Sequence, residues 1–158
     1  MTPIEPDRIV EGRAMLLGGL RRVHSYGGAA ESIPVQWDDF RQLGTLPGQQ
    51  GTTAYGVMCG ADPAAQTFEY MCAAEVESLD ALPREYGRMR VPAQRYAVFV
   101  HQGPASTVHV TWAAIWGDWI PRSGYQLANT PEFELYDERF DARTGSGIIE
   151  IWASIREV

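Results

Sequence analysis

Ile149-Glu150-Ile151-Trp152-Ala153-Ser154, near the C-terminus, resembles Phe68-Glu69-Tyr70-Met71-Cys72-Ala73 in the first half of the chain. Both read as strands, in which alternate residues face opposite sides. In the later copy Ile149, Ile151, Ala153 and Ile155 form an apolar face that belongs in a core, and Glu150, Trp152 and Ser154 form the other. A second pair of motifs recurs in the same order: Val35-Gln36-Trp37-Asp38-Asp39-Phe40 resembles Val110-Thr111-Trp112-Ala113-Ala114-Ile115. Val35 to Val110 is an offset of 75 and Phe68 to Ile149 one of 81, so the second copy carries about six extra residues between helix and strand. The loop from Pro121 to Asn129 has room for them. The chain therefore reads as a duplication.

Working outward, Arg13 to Arg21 and Thr52 to Cys59 have strand patterning, and Thr67 to Val76 follows the turn formers Ala61-Asp62-Pro63-Ala64 as the second arm of a hairpin. Between the first two, Ser32-Ile33-Pro34 is helix-start chemistry, and Val35, Trp37, Phe40 and Leu43 recur at helical spacing. The order then repeats. Arg95 to His101 is a strand, and Ser106 caps a helix carrying Val108, Trp112, Ile115, Trp116 and Trp119, stopped by Pro121 and Gly124. Phe133 to Asp137 and Ile148 to Ile155 complete the set. Ser78 to Gln94 is a linker with two prolines, within which Gly87 to Val91 adds an extended segment. The expectation is one α+β domain over 1–158, built of two pseudo-symmetric βαββ repeats at about 8–80 and 93–157, with a ligand cleft at the seam between them.

Composition excludes several function classes. The 45% apolar and 21% charged residues are those of a folded globular chain, and 158 residues suffice for one core. With 20 acidic against 13 basic residues the net charge of −7 repels a phosphate backbone, so no direct nucleic-acid partner is expected. Cys59 and Cys72 lie in apolar stretches as free thiols. Met-Thr-Pro-Ile-Glu-Pro-Asp at the N-terminus lacks the features of a secretory signal, and no apolar run is long enough to span a bilayer, which points to the cytoplasm and away from membranes. His24, His101 and His109 have no metal-ligand spacing. Leu17-Gly18-Gly19-Leu20 and Tyr26-Gly27-Gly28 lack the lysine and helix of a phosphate loop, and Ser146 between two glycines reads as a hairpin turn. Neither a metal nor a cofactor is expected.

The remaining chemistry lies in carboxylates beside aromatic rings. Glu150 and Trp152 share a strand face, a combination suited to an organic cation: the carboxylate supplies charge, and an indole adds roughly 0.5–2 kcal/mol by cation–π contact. Glu132, Glu134 and Tyr136 share a face of the preceding strand, while Phe133 and Leu135 point the other way. Pairing of the last two strands is expected to merge their acidic and aromatic faces. Such a pocket raises the pKa of a carboxylate without a cationic partner, and a bound cation reverses that cost. The first copy offers Glu69 and Met71 on the equivalent face, with Tyr55 corresponding to Tyr136. Trp112, Trp116 and Trp119 fall at i, i+4 and i+7, one stripe of a helix.

Arg95-Tyr96-Ala97-Val98-Phe99-Val100-His101-Gln102-Gly103-Pro104, Trp119-Ile120-Pro121-Arg122-Ser123-Gly124-Tyr125, Pro131-Glu132-Phe133-Glu134-Leu135-Tyr136 and Ile149-Glu150-Ile151-Trp152 together resemble the GyrI-like small-molecule-binding superfamily. This is the fold of AraC-type effector-binding domains and of the drug-binding domains of multidrug regulators. The motifs cover about the last 65 residues, and the first half matches in architecture. The resemblance implies a mostly antiparallel sheet with helices on one side and a central cleft. It also implies binding of lipophilic cations by a buried acid within an aromatic cage. Carried over by motif, the acidic roles fall on Glu150 and Glu134, and the aromatic ones on Trp152 and Tyr136 with Trp112 or Trp116. The family commonly has a proline after the last aromatic pair, where this chain has Ala153-Ser154-Ile155. Regulatory relatives carry a DNA-binding domain ahead of the fold; the early first strand here suggests a standalone member without one.

Three functions follow as expectations. The first is binding or sequestration of a small lipophilic cationic or aromatic compound, with Glu150 as counter-charge. The second is a hydrolase of reactive small molecules, such as cyclopropane-bearing compounds, with Glu150 as general base. The third is a protein-binding inhibitor or regulator, acting through a protein partner or as a homodimer.

Overall fold

The computed structural model describes residues 3–158. The chain runs β1 (Arg8–Gly12), β2 (Met15–Ser25), α1 (Ala29–Gln42), β3 (Gln49–Asp62), β4 (Thr67–Val76), β5 (Gly87–Val91) and β6 (Gln94–Pro104). It continues through α2 (Val108–Ala114), a π-helical turn (Ile115–Trp119), α3 (Ile120–Ser123), β7 (Tyr125–Leu127), β8 (Glu132–Tyr136), β9 (Phe140–Asp141) and β10 (Ser146–Glu157). It is an α+β fold whose paired strands are antiparallel. Among the described residues, no helix is long and apolar enough to cross a membrane.

Two compact units form, Met15–Val91 and Met1–Ala14 with Pro92–Val158. In the first the strands lie in the order β3-β4-β2-β5, with α1 packed on β2 and β4. In the second the order is β8-β10-β6-β1, with β7 and β9 also on β10 and α2 packed on β6. The duplication thus includes one strand more than βαββ. β5, which the sequence marks as an extended segment inside a linker, stands to β2 as β1 stands to β6. Each flanking strand joins the next by two residues, Arg13–Ala14 or Pro92–Ala93, yet pairs in the other unit. Repeats contiguous in sequence are therefore not the compact units: each lends its first strand to the other.

The middle strands β4 and β10 are buried on both faces, as their long apolar runs require. Around β10, Ala97, Val98, Phe99, Ile115, Phe133, Ile149, Ile151 and Ala153 fill the core. Around β4, Leu46, Ala74, Val76 and Leu82 form a cluster closed by Phe40, Leu43 and Tyr86. The glycines of Leu17-Gly18-Gly19-Leu20 serve packing: a Cβ on Gly19 would sit 1.9 Å from the Cys72 carbonyl oxygen, and one on Gly18 2.6 Å from Leu82.

A buried polar anchor ties each helix to its sheet. The Gln36 side chain, fully buried in α1, donates its NH₂ to the carbonyls of Leu20 and Tyr70, both at 2.9 Å. Its oxygen can only accept, so the proton of the 2.6 Å contact belongs to His24 Nε2. In the second unit His101 Nε2 donates to the Pro104 carbonyl at 3.0 Å, and its Nδ1 lies 2.8 Å from the hydroxyl of Thr111, the residue aligned with Gln36. The helix starts differ from the sequence expectation. Ser32 lies inside the first turns of α1, because its hydroxyl is drawn to His24 Nδ1 at 2.6 Å, and Gly28 occupies the N-cap. Pro34 is tolerated in the helix at an exposed position where one backbone bond is lost. Ser106 sits in a 3₁₀ turn ahead of α2 and makes no side-chain cap.

Candidate functional site

The register of β8 against β10 sorts the acidic residues onto two faces. Ile151 lies opposite Glu134, Glu150 opposite Leu135, and Trp152 opposite Phe133. Opposed residues of an antiparallel pair share a face. The acidic faces therefore do not merge as expected. Glu134 lies with the isoleucine face, and Glu150 and Trp152 lie with Phe133 and Leu135. Alternation fixes the two faces of each strand, but a one-residue register choice decides which faces combine.

The isoleucine face is the one covered by the helix. There Glu134, 2% exposed, accepts hydrogen bonds from Trp112 Nε1 at 2.9 Å and from the Tyr136 hydroxyl at 2.7 Å. Trp116, 40% exposed, stacks on Trp112 with ring centroids 4.9 Å apart. Two residues before Glu134, Glu132 accepts from the Ser154 backbone N–H at 3.2 Å and faces the Trp116 indole. Burial pushes the Glu132 carboxyl up to about 7, partly offset by that N–H and by Trp116. Among the described residues no cation pairs with Glu132. The third indole leaves this stripe: Trp119 is buried against Phe99 at 5.2 Å and Tyr125 at 6.0 Å. The π turn separates it, since the wider winding breaks the 3.6-residue repeat; such turns occur frequently at functional sites.

On the opposite face Glu150 is 5% exposed and already paired. Arg8 Nη2 reaches its two oxygens at 3.1 and 3.2 Å, Arg139 Nη2 reaches it at 3.1 Å, and Trp152 Nε1 donates at 3.0 Å. Burial raises the pKa most, but Arg8, Trp152 and Arg139 together outweigh it and hold the carboxyl below its ordinary value. Arg139 is raised in turn, by Asp137 first and Glu150 second. Trp152 stacks on Phe133 at 5.4 Å, meets Tyr96 edge-on at 5.2 Å, and carries the Arg8 guanidinium 5.8 Å above its ring. The counter-charge for Glu150 is thus internal.

In the other unit Glu69 and Met71 lie on the face of β4 turned from α1, since Tyr70 on the alternate face packs against Trp37 of the helix. This matches Glu150 and Trp152, and Glu69 is likewise ion-paired, with Arg21. Met71 is fully buried opposite Val57. Tyr55 lies opposite Ala73, on the same side as Met71, whereas Tyr136 is on the helix side, so the two tyrosines are not equivalent. Sequence reasoning placed Glu132 on the face of Glu134 without giving it a role. It missed Arg8 and Arg139. Alternation could have promoted Glu132, but nothing local marks Arg8, which arrives through the pairing of β1 with the distant β6. Among the described residues, no group of three His, Cys, Asp or Glu could hold a metal ion.

Comparison with known proteins gives this geometry a setting. Residues 7–156 match the GyrI-like small molecule binding domain. The transcriptional regulator BrlR of Pseudomonas aeruginosa is 31% identical over 135 residues, covering 84% of this chain and 48% of that protein, so the chain spans about half its relative's length. The fold is also that of SAV2435, solved bound to tetraphenylphosphonium, with a TM-score of 0.72 at 18% identity over 94% of this chain and 93% of that one. The EcmrR C-terminal domain superimposes with a TM-score of 0.67 at 15% identity over 96% and 97% of the two chains. With one domain family matched from Asp7 to Arg156 and a regulator of 31% identity beside it, the chain belongs to the GyrI-like small-molecule binding domain family.

Proposed function

We propose that this domain binds lipophilic organic cations on the helix side of β8, with Trp116 and Trp112 as the aromatic wall and Glu132 and Glu134 as counter-charge. The observation that carries this reading is a half-exposed indole stacked over a buried one, beside a carboxylate that no cation among the described residues neutralises. Ionised Glu132 is costly in the empty protein, and an arriving cation removes that cost while gaining ring contact. The tetraphenylphosphonium found on a protein of the same fold supports the choice of ligand class. A base role for Glu150 is not supported, because a carboxylate held ionised by two guanidiniums is a weak proton acceptor.

Titration with tetraphenylphosphonium, followed by tryptophan fluorescence and calorimetry, tests the proposal. Trp116→Ala should weaken binding by roughly three- to thirtyfold, the equivalent of one cation–π contact. Equal affinity in wild type and variant, or no binding by either, would reject the site.

A further inference from the structure

We propose that Ser32 is a base-activated nucleophile, with His24 as its base, that opens activated aryl esters through an acyl-serine. The pair lies wholly within the unit Met15–Val91, and its polarity is set by hydrogen bonds that begin at the sheet. Both protons of the Gln36 amide go to backbone carbonyls, of Leu20 and Tyr70, each at 2.9 Å, which turns the amide oxygen towards His24 Nε2 at 2.6 Å. That oxygen only accepts, so the ring proton stays on Nε2 and a lone pair stands at Nδ1. The Ser32 hydroxyl, 2.6 Å from Nδ1, therefore donates to the ring and leaves its oxygen lone pairs for attack. Nucleophile, base and orienting amide form the three-part relay of acyl-transfer sites. His24 is 3% exposed whereas Ser32 is only partly buried, so the base is shielded and the nucleophile can be reached.

The surroundings narrow the substrate. Ser32 stands in the first turn of α1, whose N-terminus has no side-chain cap, and a helical side chain leans over the turn before it. Charge developing on a substrate oxygen at Ser32 therefore meets uncapped N–H groups at the positive end of the helix. The Phe68 ring lies 5.6 Å from the imidazole, and Tyr26, 49% exposed, stacks on Phe68 at 6.2 Å, which gives an aryl group a surface beside the base. Gln36 is neutral and does not offset the charge that His24 gains, so the leaving group must depart with little help. Aryl esters meet that condition, and alkyl esters and amides do not. In the reaction Ser32 Oγ bonds to the carbonyl carbon as its proton passes to Nδ1; the bond to the phenol oxygen breaks, and the phenol takes that proton. Water repeats the exchange on the acyl-serine, releasing the acid and restoring the hydroxyl. The second unit has an equivalent histidine without the same site. Thr107, aligned with Ser32, gives its proton to the Pro104 carbonyl at 2.9 Å, and the hydroxyl on His101 Nδ1 belongs to Thr111. There a 3₁₀ turn, Ala105–Thr107, runs into α2 and takes up the Val108 N–H.

Diisopropyl fluorophosphate and p-nitrophenyl acetate test this on the full chain, which has no lysine whose amine could compete for either reagent. With the fluorophosphate the Ser32 Oγ–P bond forms, the P–F bond breaks, and the hydroxyl proton leaves with fluoride by way of His24. Mass spectrometry with peptide mapping should find one adduct, on Ser32 and not on Thr111, which is lost when the protein is unfolded in urea before the reagent is added. Ser32→Ala should take no adduct and should release nitrophenol roughly a hundredfold more slowly than wild type; His24→Gln, its fold verified by circular dichroism, should behave alike. The proposal is overturned by the absence of an adduct on folded wild type, by an adduct on another residue instead of Ser32, or by labelling that survives urea or His24→Gln. Nitrophenol release unchanged in Ser32→Ala overturns it as well. Because His24 is buried, the wild-type map and Ser32→Ala decide the matter even where His24→Gln does not fold.

Discussion

Replacing Glu132 by glutamine should make the protein more stable, and only above acidic pH. In the folded chain burial lifts this carboxyl from 4.5 to about 7, while in the unfolded chain it ionises near its ordinary value. Between those two values the folded state holds a proton that the unfolded state has lost, so wild-type stability falls as pH rises across the window and levels off above it. The shift corresponds to on the order of 3 kcal/mol, an upper bound because the carboxylate is partly exposed. Glutamine keeps an oxygen for the Ser154 N–H and carries no charge at any pH. Urea unfolding of wild type and Glu132→Gln should coincide at pH 4, diverge between pH 4.5 and 7, and differ by up to about 3 kcal/mol at pH 8.5. A constant difference from pH 4 to 8.5, or a variant less stable at pH 8.5, would refute the assignment of an uncompensated charge to this position.

Glu150 should behave in the opposite sense. Its carboxyl is held below 4.5, so it stabilises the fold at neutral pH and that contribution is lost as pH falls through its folded value; Glu150→Gln should cost about 3 kcal/mol at pH 7 by thermal melting while changing tetraphenylphosphonium affinity less than about twofold. Trp112→Phe removes the indole donor to Glu134 and should destabilise by roughly 1–3 kcal/mol, measured by urea unfolding at pH 7. Gly19→Ala should lower stability by about 3 kcal/mol, because the added methyl meets backbone rather than a side chain that can turn aside; circular dichroism melts of the purified variant read this directly.

The sequence revealed what is local and repeated. Strand alternation in Ile149 to Ile155 and the two helix motifs marked βαββ twice, and the faces of β8 and β10 were each assigned correctly by themselves. Their relation was not, because pairing Glu150 with Leu135 rather than Glu134 is a choice of register that the Asp137–Gly145 connection settles and no residue count reveals. The same limit hid Arg8: Arg-Ile-Val-Glu-Gly has little strand signature, and its partner is some ninety residues away in β6. Ser32 shows a subtler failure. A serine before an apolar helical pattern reads as a cap, but a buried histidine eight residues earlier competes for its hydroxyl, and tertiary contact prevails over local preference. The tryptophan stripe was read with a period of 3.6, which the π turn interrupts after Trp116.

The exchange of β1 and β5 has a consequence for how the chain can be divided. Cleavage in the 77–86 connection separates the two sequence repeats cleanly, yet each fragment carries a first strand whose place is in the other and lacks the one that covers its own second strand. Neither fragment can close its sheet alone, and each exposes the edge that the other's flanking strand fits. Two such pieces mixed together are therefore a complementing pair, whose reassembly restores the β1–β6 and β2–β5 pairings at once.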